Sequence, residues 1–478
     1  MIALFLFAIV ALLGSYLYTK LRFARFGQYA HIPQLPNHLL WGHLKVFGEF
    51  IHRGIHDRHP DQIFEEMWAS IGCPPIMFVD FRPIIPPMAI VSNHDIAEQI
   101  TKSSKYFPVS TPKSPTMAHL LPLLGPASIL TKEGDEWKDL RKRYNPGFAP
   151  QHLWSLLPLI LENMEPFWNY LDQFVASQQE FSLEVLITNL TFDVIGAAVM
   201  EVPLNAQHMD PAKQGEIVRL FRELVQIYDD DKNDLPWWLD PLTILKRRRL
   251  ARRIDLPIQN IVRRKYAELK KSDGNQSRSI LALSFQETET LTPQIIASTS
   301  DQLRSFLFAG HDTNTSVLQW IFYELSRTPR ALKAVRDELN EVLGSDSDPM
   351  AICTTLAEKG EHLLPRMRYI SAVIKETLRL HPPAGTVRMT TSGTGFTVHT
   401  STDEEYCLDG LIMYPCQRIV QRDPTVYGDT VDDWGLPTLD DKGQYRVKSE
   451  LYNTRRMTSK PKDGTMRITL AAKTSILH

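Results

Sequence analysis

Apolar residues recur at helical spacing along most of this chain, and the longest such pattern runs from about Leu303 to Leu325. The same periodicity predicts helices over 135–144, 151–177, 182–199, 213–229, 243–271 and 292–325, then Pro329 to Leu343 and 365–380. Between residues 46 and 110 a helical stretch alternates with strand-like runs. Ile76-Met-Phe-Val-Asp80 and the run from Ile84 to Val91 predict a hairpin of strands. Residues 387–420 turn strand-like again, with a turn at Asp409-Gly410. Nothing repeats. The sum is a mainly α chain with a small β region contributed from both ends.

The first stretch follows a different rule. Ile2 to Tyr18 is almost wholly apolar and is followed by Lys20, Arg22 and Arg25, with no basic residue before it. That order argues for a single N-terminal anchor over residues 1–20, with the trailing side cytosolic, rather than for a cleaved signal. Tyr16 and Tyr18 suit a membrane interface. Residues 21–45, carrying Pro33 and Pro36, read as a linker into a domain spanning 46–478.

Composition adds bounds rather than a function. The 478 residues are 43% hydrophobic and 23% charged with a formal net charge of −2, so global electrostatics indicate no nucleic-acid partner. Cys73, Cys353, Cys407 and Cys416 have neither metal nor disulfide spacing, which fits a reducing compartment. The basic run Lys246–Arg253 and the acidic run Asp229–Asp231 read as solvated faces, with a membrane-surface or redox-partner role as the sharper alternative for the basic one. His52, His56 and His59 could share a metal by spacing, but lack a second ligand cluster and read as solvated histidines. The sequons at Asn189 and Asn275 carry no weight in a cytosolic domain.

Chemistry concentrates in three places. Ala309-Gly310-His311-Asp312-Thr313-Asn314 puts a glycine and a polar pair inside a buried helical pattern, where glycine costs about 1 kcal/mol against alanine. Such a notch suits a flat group packed on the helix, served by the hydroxyl and the carboxylate. Glu376 and Arg379 share a helix face that stops at His381-Pro382-Pro383, and the neighbours Ile374, Leu378 and Leu380 imply burial. Trp137 and Arg141 stand four apart behind the candidate cap Asp135, so an indole N–H and a guanidinium can donate to one anion. Taken singly, they read as core and surface residues. Arg388 opens the strand-like run after the double proline.

Together these pieces resemble a cytochrome P450. Ala309–Thr313 is similar to that family's oxygen-activation helix, Glu376-Thr-Leu-Arg379 with His-Pro-Pro to its Glu-x-x-Arg helix, and Trp137-Lys-Asp-Leu-Arg141 with Asn145-Pro-Gly-Phe148 to its Trp-x-x-x-Arg helix. Gln421-Arg-Asp-Pro424 resembles the segment after its last core strand. The anchor suits a microsomal member, and the Pro-rich N-terminal stretch resembles filamentous-fungal members of secondary metabolism. The resemblance implies a P450-like fold, haem b, and insertion of one oxygen atom from dioxygen into an apolar small molecule. It also implies electrons from NADPH-cytochrome P450 reductase and a location on the endoplasmic reticulum membrane. It implies haem-propionate contacts from Trp137, Arg141 and Arg388, close approach at Ala309 and Gly310, and dioxygen and proton handling by Thr313 and Asp312. Glu376 and Arg379 become a structural pair, and substrate contacts fall in the 107–125 loop and from Ser305 to Phe308.

One part of the pattern is missing. The family carries its metal-binding cysteine in a Phe-x-x-Gly-x-Arg-x-Cys-x-Gly loop after the Arg-Asp-Pro segment, and no cysteine follows Cys416 here. Asp433-Trp434 runs directly into Gly435-Leu-Pro, while Glu450-Leu-Tyr-Asn-Thr and Lys460-Pro-Lys-Asp-Gly464 resemble the closing strands. The reading is an internal deletion near residues 434–435, with no cysteine at the metal-ligand position. Two functions follow: a monooxygenase whose written chain lacks a segment, or a catalytically inactive relative that binds an apolar ligand or a partner.

Overall fold

The computed structural model describes residues 2–55, 58–105, 107–108, 110–230, 240–271, 277–345, 348–428, 434, 438–439, 445–446 and 467–468. His56, Asp231, Asn275, Gly435 and the stretches beginning at Glu450 and Lys460 lie outside them. The chain forms two compact units: one from residues 1–115, 385–432 and 455–457, the other from 116–384, 433–454 and 458–478.

The first unit holds α1 (Ile2–Phe26), α2 (Leu44–His52), α3 (Pro60–Ser70), β1 (Ile76–Val79), β2 (Met88–Val91), α4 (His94–Thr101), β3 (Arg388–Met389), β4 (Thr397–His399), β5 (Glu405–Cys407) and β6 (Ile412–Pro415). Strands β1 and β2 pair antiparallel, as the two apolar runs predict, and β6 lies parallel to β2 with β3 on its outer edge. Both faces of β1 and β2 are buried. This is why they read as unbroken apolar runs rather than alternating ones. Gly410 adopts a φ of +71° in the turn that Asp409-Gly410 announces.

Helix α1 is long and apolar enough to cross a membrane, and none of its apolar window is buried. It does not stop at residue 20. Its last turn carries Arg25, whose guanidinium meets Asp80 at 2.8 Å and donates to the Leu39, Leu40 and Arg82 carbonyls. Beyond it, Tyr29 and Ile32 are buried, and Tyr29 Oη donates to the Asp409 carbonyl at 2.8 Å. Within the stretch 21–45, Arg25, Tyr29, Ile32 and His43 are buried in the first unit. Tyr29 and Ile32, just before Pro33, supply the burial.

The second unit is helical: α5 (Gly134–Tyr144), α6 (Pro150–Glu162), α7 (Glu165–Ser177), α8 (Leu183–Met200), α9 (Glu216–Asp230), α10 (Pro241–Lys271), α11 (Pro293–Arg327), α12 (Pro329–Leu343), α13 (Pro349–Leu363) and α14 (Arg368–Leu380). Six of these ten start with proline in the first turn. Thr292 accepts from Ile295 N and Asp348 from Ala351 N. The core is built by α8, α9, α10 and α11 around Phe192, Phe221, Leu224, Ile254, Ile258, Leu303 and Leu307. Helix α8 is apolar all round and also long enough to span a membrane, but it is mostly buried here, as a core helix is. Architecture and composition agree with the mainly α reading.

Candidate active site

Helix α11 organises the site because its two sides are covered unequally. Leu303, Leu307, His311 and Thr315 are buried, whereas Phe306, Ala309, Thr313, Val317 and Trp320 are partly open. At 100° per residue these five fall in one narrow stripe, and at 1.5 Å per residue the stripe is about 21 Å long. Its middle is lined only by Ala309 and Thr313. Thr313 Oγ1 donates to the Ala309 carbonyl at 2.6 Å, so the hydroxyl lies along the helix and keeps its lone pairs for another donor. Asp312 is half-buried beside it.

His311 belongs to the opposite side. Its ring stacks on Phe192 at 3.9 Å, meets Phe221 edge-on, and hydrogen-bonds through Nδ1 to the Leu307 carbonyl at 2.7 Å. It is a satisfied core histidine. Gly310 also turns away from the stripe. A Cβ there would stand 2.5 Å from both Cδ1 and Cγ1 of Ile195 on α8. The glycine expected to admit a flat group instead lets two helices pack closely, and close approach on the open side is left to Ala309. Gly310→Ala is expected to destabilise by about 1–2 kcal/mol, the overpacking cost reduced by alanine's better helix propensity. Adding Ile195→Ala should recover part of that loss. Purely additive costs in a denaturation double-mutant cycle would remove the assignment.

Both ends of the stripe are closed by aromatic contacts. At the first, Phe306 meets Tyr144 and Phe148, both at 5.3 Å. Trp137, Arg141 and Tyr144 share one face of α5, since spacings of four and three return to the same side. The face that carries the two expected donors is thus the face whose last residue touches the stripe. Arg141 is exposed and lies 5.7 Å from the Trp137 ring, a loose cation–π approach. At the other end, His381 stacks on Trp320 at 3.6 Å and its Nε2 lies 2.9 Å from Glu324 Oε1, tying the end of α14 to α11.

Glu376 and Arg379 are buried, not a surface pair. Arg379 donates through Nε and Nη2 to the two carboxylate oxygens at 3.0 and 2.8 Å, and both side chains are at most 1% exposed. Trp434 Nε1 approaches Thr377 Oγ1 on the same helix at 3.4 Å. Arg388 belongs to the first unit, where β3 pairs with β6 and its guanidinium donates to the Thr111 carbonyl at 3.3 Å.

The four cysteines are also placed. Cys416 is fully buried among Phe50, Phe64, Met67 and Ile419, and burial, helped by Asp61, pushes its thiol well above the ordinary range. Burial also raises the Cys353 thiol on α13, and Cys73 and Cys407 are exposed on the first unit. Among the described residues no group of His, Cys, Asp and Glu is set to hold a metal ion.

The family model for cytochrome P450 matches residues 33–400. The chain belongs to the cytochrome P450 family. P450s are haem-dependent monooxygenases, and the similar proteins carry that name. The chain is 30% identical over 347 residues to the cytochrome P450 monooxygenase acrF of Aspergillus aculeatus, covering 71% of this chain and 67% of that one. It is 26% identical over 398 residues to the monooxygenase polC of Polytolypa hystricis, covering 78% and 67%. Against human cytochrome P450 4V2 it is 26% identical over 315 residues and spans 56% of that protein. The family match ends at residue 400, before Gln421–Pro424 and before any position for the metal-binding cysteine.

The residues present fit a P450 haem on one side only. Trp137, Arg141, Ala309 and Thr313 offer donors, a small residue and a hydroxyl along one open stripe. No cysteine matches the other side. A metal-binding thiolate needs a depressed pKa and access, and the thiols of the buried Cys416 and the partly buried Cys353 are shifted the opposite way.

Residues that the motifs did not indicate are Tyr144 and Trp320, which close the stripe, and the polar residues Asp301, Gln302 and Arg304, which with Ser305 stand just before it. The latter had a usable signal: four polar side chains in a helix read as buried need partners.

Proposed function

We propose that this chain is the body of a membrane-anchored P450 monooxygenase for an apolar small molecule, in a form that lacks the thiolate loop and so does not turn over. The anchor is α1 in the endoplasmic reticulum membrane, and the electron donor is NADPH-cytochrome P450 reductase. A place in fungal secondary metabolism is favoured by the fungal relatives. The observation that carries the reading is the partly open α11 stripe with Thr313 at its centre and the Trp137–Arg141 face of α5 at one end. In this arrangement Trp137 and Arg141 bind an anionic edge, Ala309 admits a flat group, Thr313 places a hydroxyl on the open side, and Asp312 sits where it can exchange a proton with solvent. Haem, where bound, supplies the oxygen chemistry.

The placement of Cys416 favours the second reading, an inactive ligand-binding P450, for the 478-residue form itself. The test is expression with haem supply, reductase and NADPH. The expected result is no hydroxylated product and no thiolate-type Soret band after reduction under CO. Turnover by this form would show that a ligand residue has been overlooked. Sequencing the message across codons 430–440 identifies the junction, and a transcript encoding a Cys loop there restores the enzyme reading for the gene.

A further inference from the structure

Three residues within one and a half turns of α11 hold the backbone of a single segment, 122–130, and a fourth, Ser305, holds one of its side chains. Asp301 Oδ2 accepts from Ala127 N at 2.8 Å. Gln302 Oε1 accepts from Ile129 N at 2.9 Å while its Nε2 donates to the Ala127 carbonyl. Arg304 donates through Nε to the Leu123 carbonyl at 3.0 Å, through Nη2 to the Pro122 carbonyl, and pairs with Asp255 of α10 at 2.9 Å. Ser305 Oγ meets Ser128 Oγ at 2.6 Å. Gly125 sits directly over the Asp301 carboxylate with φ +86°, and a Cβ there would overlap that carboxylate. Gly125 N donates to the Leu121 carbonyl and closes the single helical turn Leu121–Leu124, whereas Ala127 N, Ile129 N and the Leu123 and Ala127 carbonyls thus go to side chains of α11. Four residues later the chain enters α5, which carries Trp137 and Arg141.

We propose that Asp301 is a positioning residue: with Gln302, Arg304 and Ser305 it latches the 122–130 strap onto α11 and so fixes the start of α5, and the latch loosens as Asp301 ionises. The direction follows from what faces the carboxyl group. The Ala127 N–H on the strap, Arg304 on its own helix and Lys132 just after the strap favour the charge, and Asp255 on α10 opposes it. Lys132 is itself paired with Glu136 at 2.9 Å. Burial under the strap outweighs the favourable contacts and raises the Asp301 pKa to about 6. With the strap open, water covers the carboxyl group and its pKa returns toward the ordinary 3.8. The closed form therefore binds the proton more tightly. Linkage makes closure firmest below about pH 4 and progressively weaker as pH rises to 6 and above. The full difference corresponds to roughly a 100-fold change in the opening equilibrium.

The test is amide hydrogen exchange across residues 120–133 of the full chain in detergent, corrected for the intrinsic pH dependence of exchange. In the wild type, opening at Ala127 and Ile129 should rise by up to about 100-fold between pH 4 and pH 7. Asp301→Asn keeps an acceptor for Ala127 N and should remove that rise, leaving the strap closed at both pH values. Gly125→Ala should leave the strap open at every pH while α9 and α10 stay protected. A wild-type profile without the rise, or an Asp301→Asn profile that keeps it, overturns the proposal. If Gly125→Ala fails to fold, the Asp301→Asn comparison still decides. Only the consequence for Trp137 and Arg141 rests on the functional reading above. The exchange result is independent of turnover, so the two can fail separately.

Discussion

Arg379→Ala is expected to cost about 3–5 kcal/mol of stability, enough to leave little folded protein at physiological temperature. The reason is asymmetry. The Glu376–Arg379 pair is enclosed, with both charge-assisted hydrogen bonds formed in a fork geometry. Removing the guanidinium leaves a carboxylate without water and without its bidentate donor. Removing both charges is a different experiment. Glu376→Leu with Arg379→Met should recover most of the loss, because the desolvation cost of two ions disappears with their attraction. Urea denaturation of the three chains measures this. A single-variant loss below about 1 kcal/mol would mean that water reaches the pair and that it behaves like a surface bridge.

Asp80→Asn should be nearly as damaging, at about 3–5 kcal/mol, and it adds a pH signature. Asp80 is wholly buried, accepts from Arg82 Nε at 2.9 Å and Nη2 at 2.7 Å, and meets Arg25 at 2.8 Å. Burial alone would raise its pKa, but the hydrogen bonds from Arg82 and Arg25 win and hold it below the ordinary 3.8. A depressed carboxyl pKa contributes stability that is complete above the unfolded value and is lost as pH falls through the folded one. The wild type should therefore lose stability steeply in acid below about pH 4, with a shallower loss in Asp80→Asn. Equal acid slopes in the two proteins would place the titrating group elsewhere. The substitution also leaves Arg25 buried without its counter-charge, with only the Leu39, Leu40 and Arg82 carbonyls to accept from it, so the first unit, where that arginine sits, should unfold before the helical one.

The helices from α8 to α12 and α14 were legible because each buries one side of a long amphipathic or wholly apolar run. The predicted 151–177 helix divides at Asn163–Met164. Asn163 Nδ2 donates to the Leu159 carbonyl, and Pro166 has no N–H to continue the ladder. Helix α13 went unread because its apolar face is shallow. The 417–420 turn was absorbed into a strand-like run whose apolar residues do not distinguish the two conformations. At the site, Thr313, Glu376 and Arg379 were legible as polar residues in apolar patterns. Gly310 was misread because spacing cannot say which of two packed surfaces a glycine serves, and here Ile195 takes the space. Asp301 and Gln302 obeyed the same polar-in-core logic as Thr313, yet their partners are backbone groups at Ala127 and Ile129, in a stretch with no periodic signal.

The burial of Arg25 at the end of α1 bears on how a bilayer handles this protein. A membrane helix on a slack tether lets its cargo tumble, whereas the last turn of α1 holds Arg25 buried against Asp80 and the Leu39, Leu40 and Arg82 carbonyls. With α1 as the proposed anchor, a tilt imposed on it by lipid thickness would be handed to the first unit as rotation, and lipid composition would become a setting for that unit's attitude at the surface.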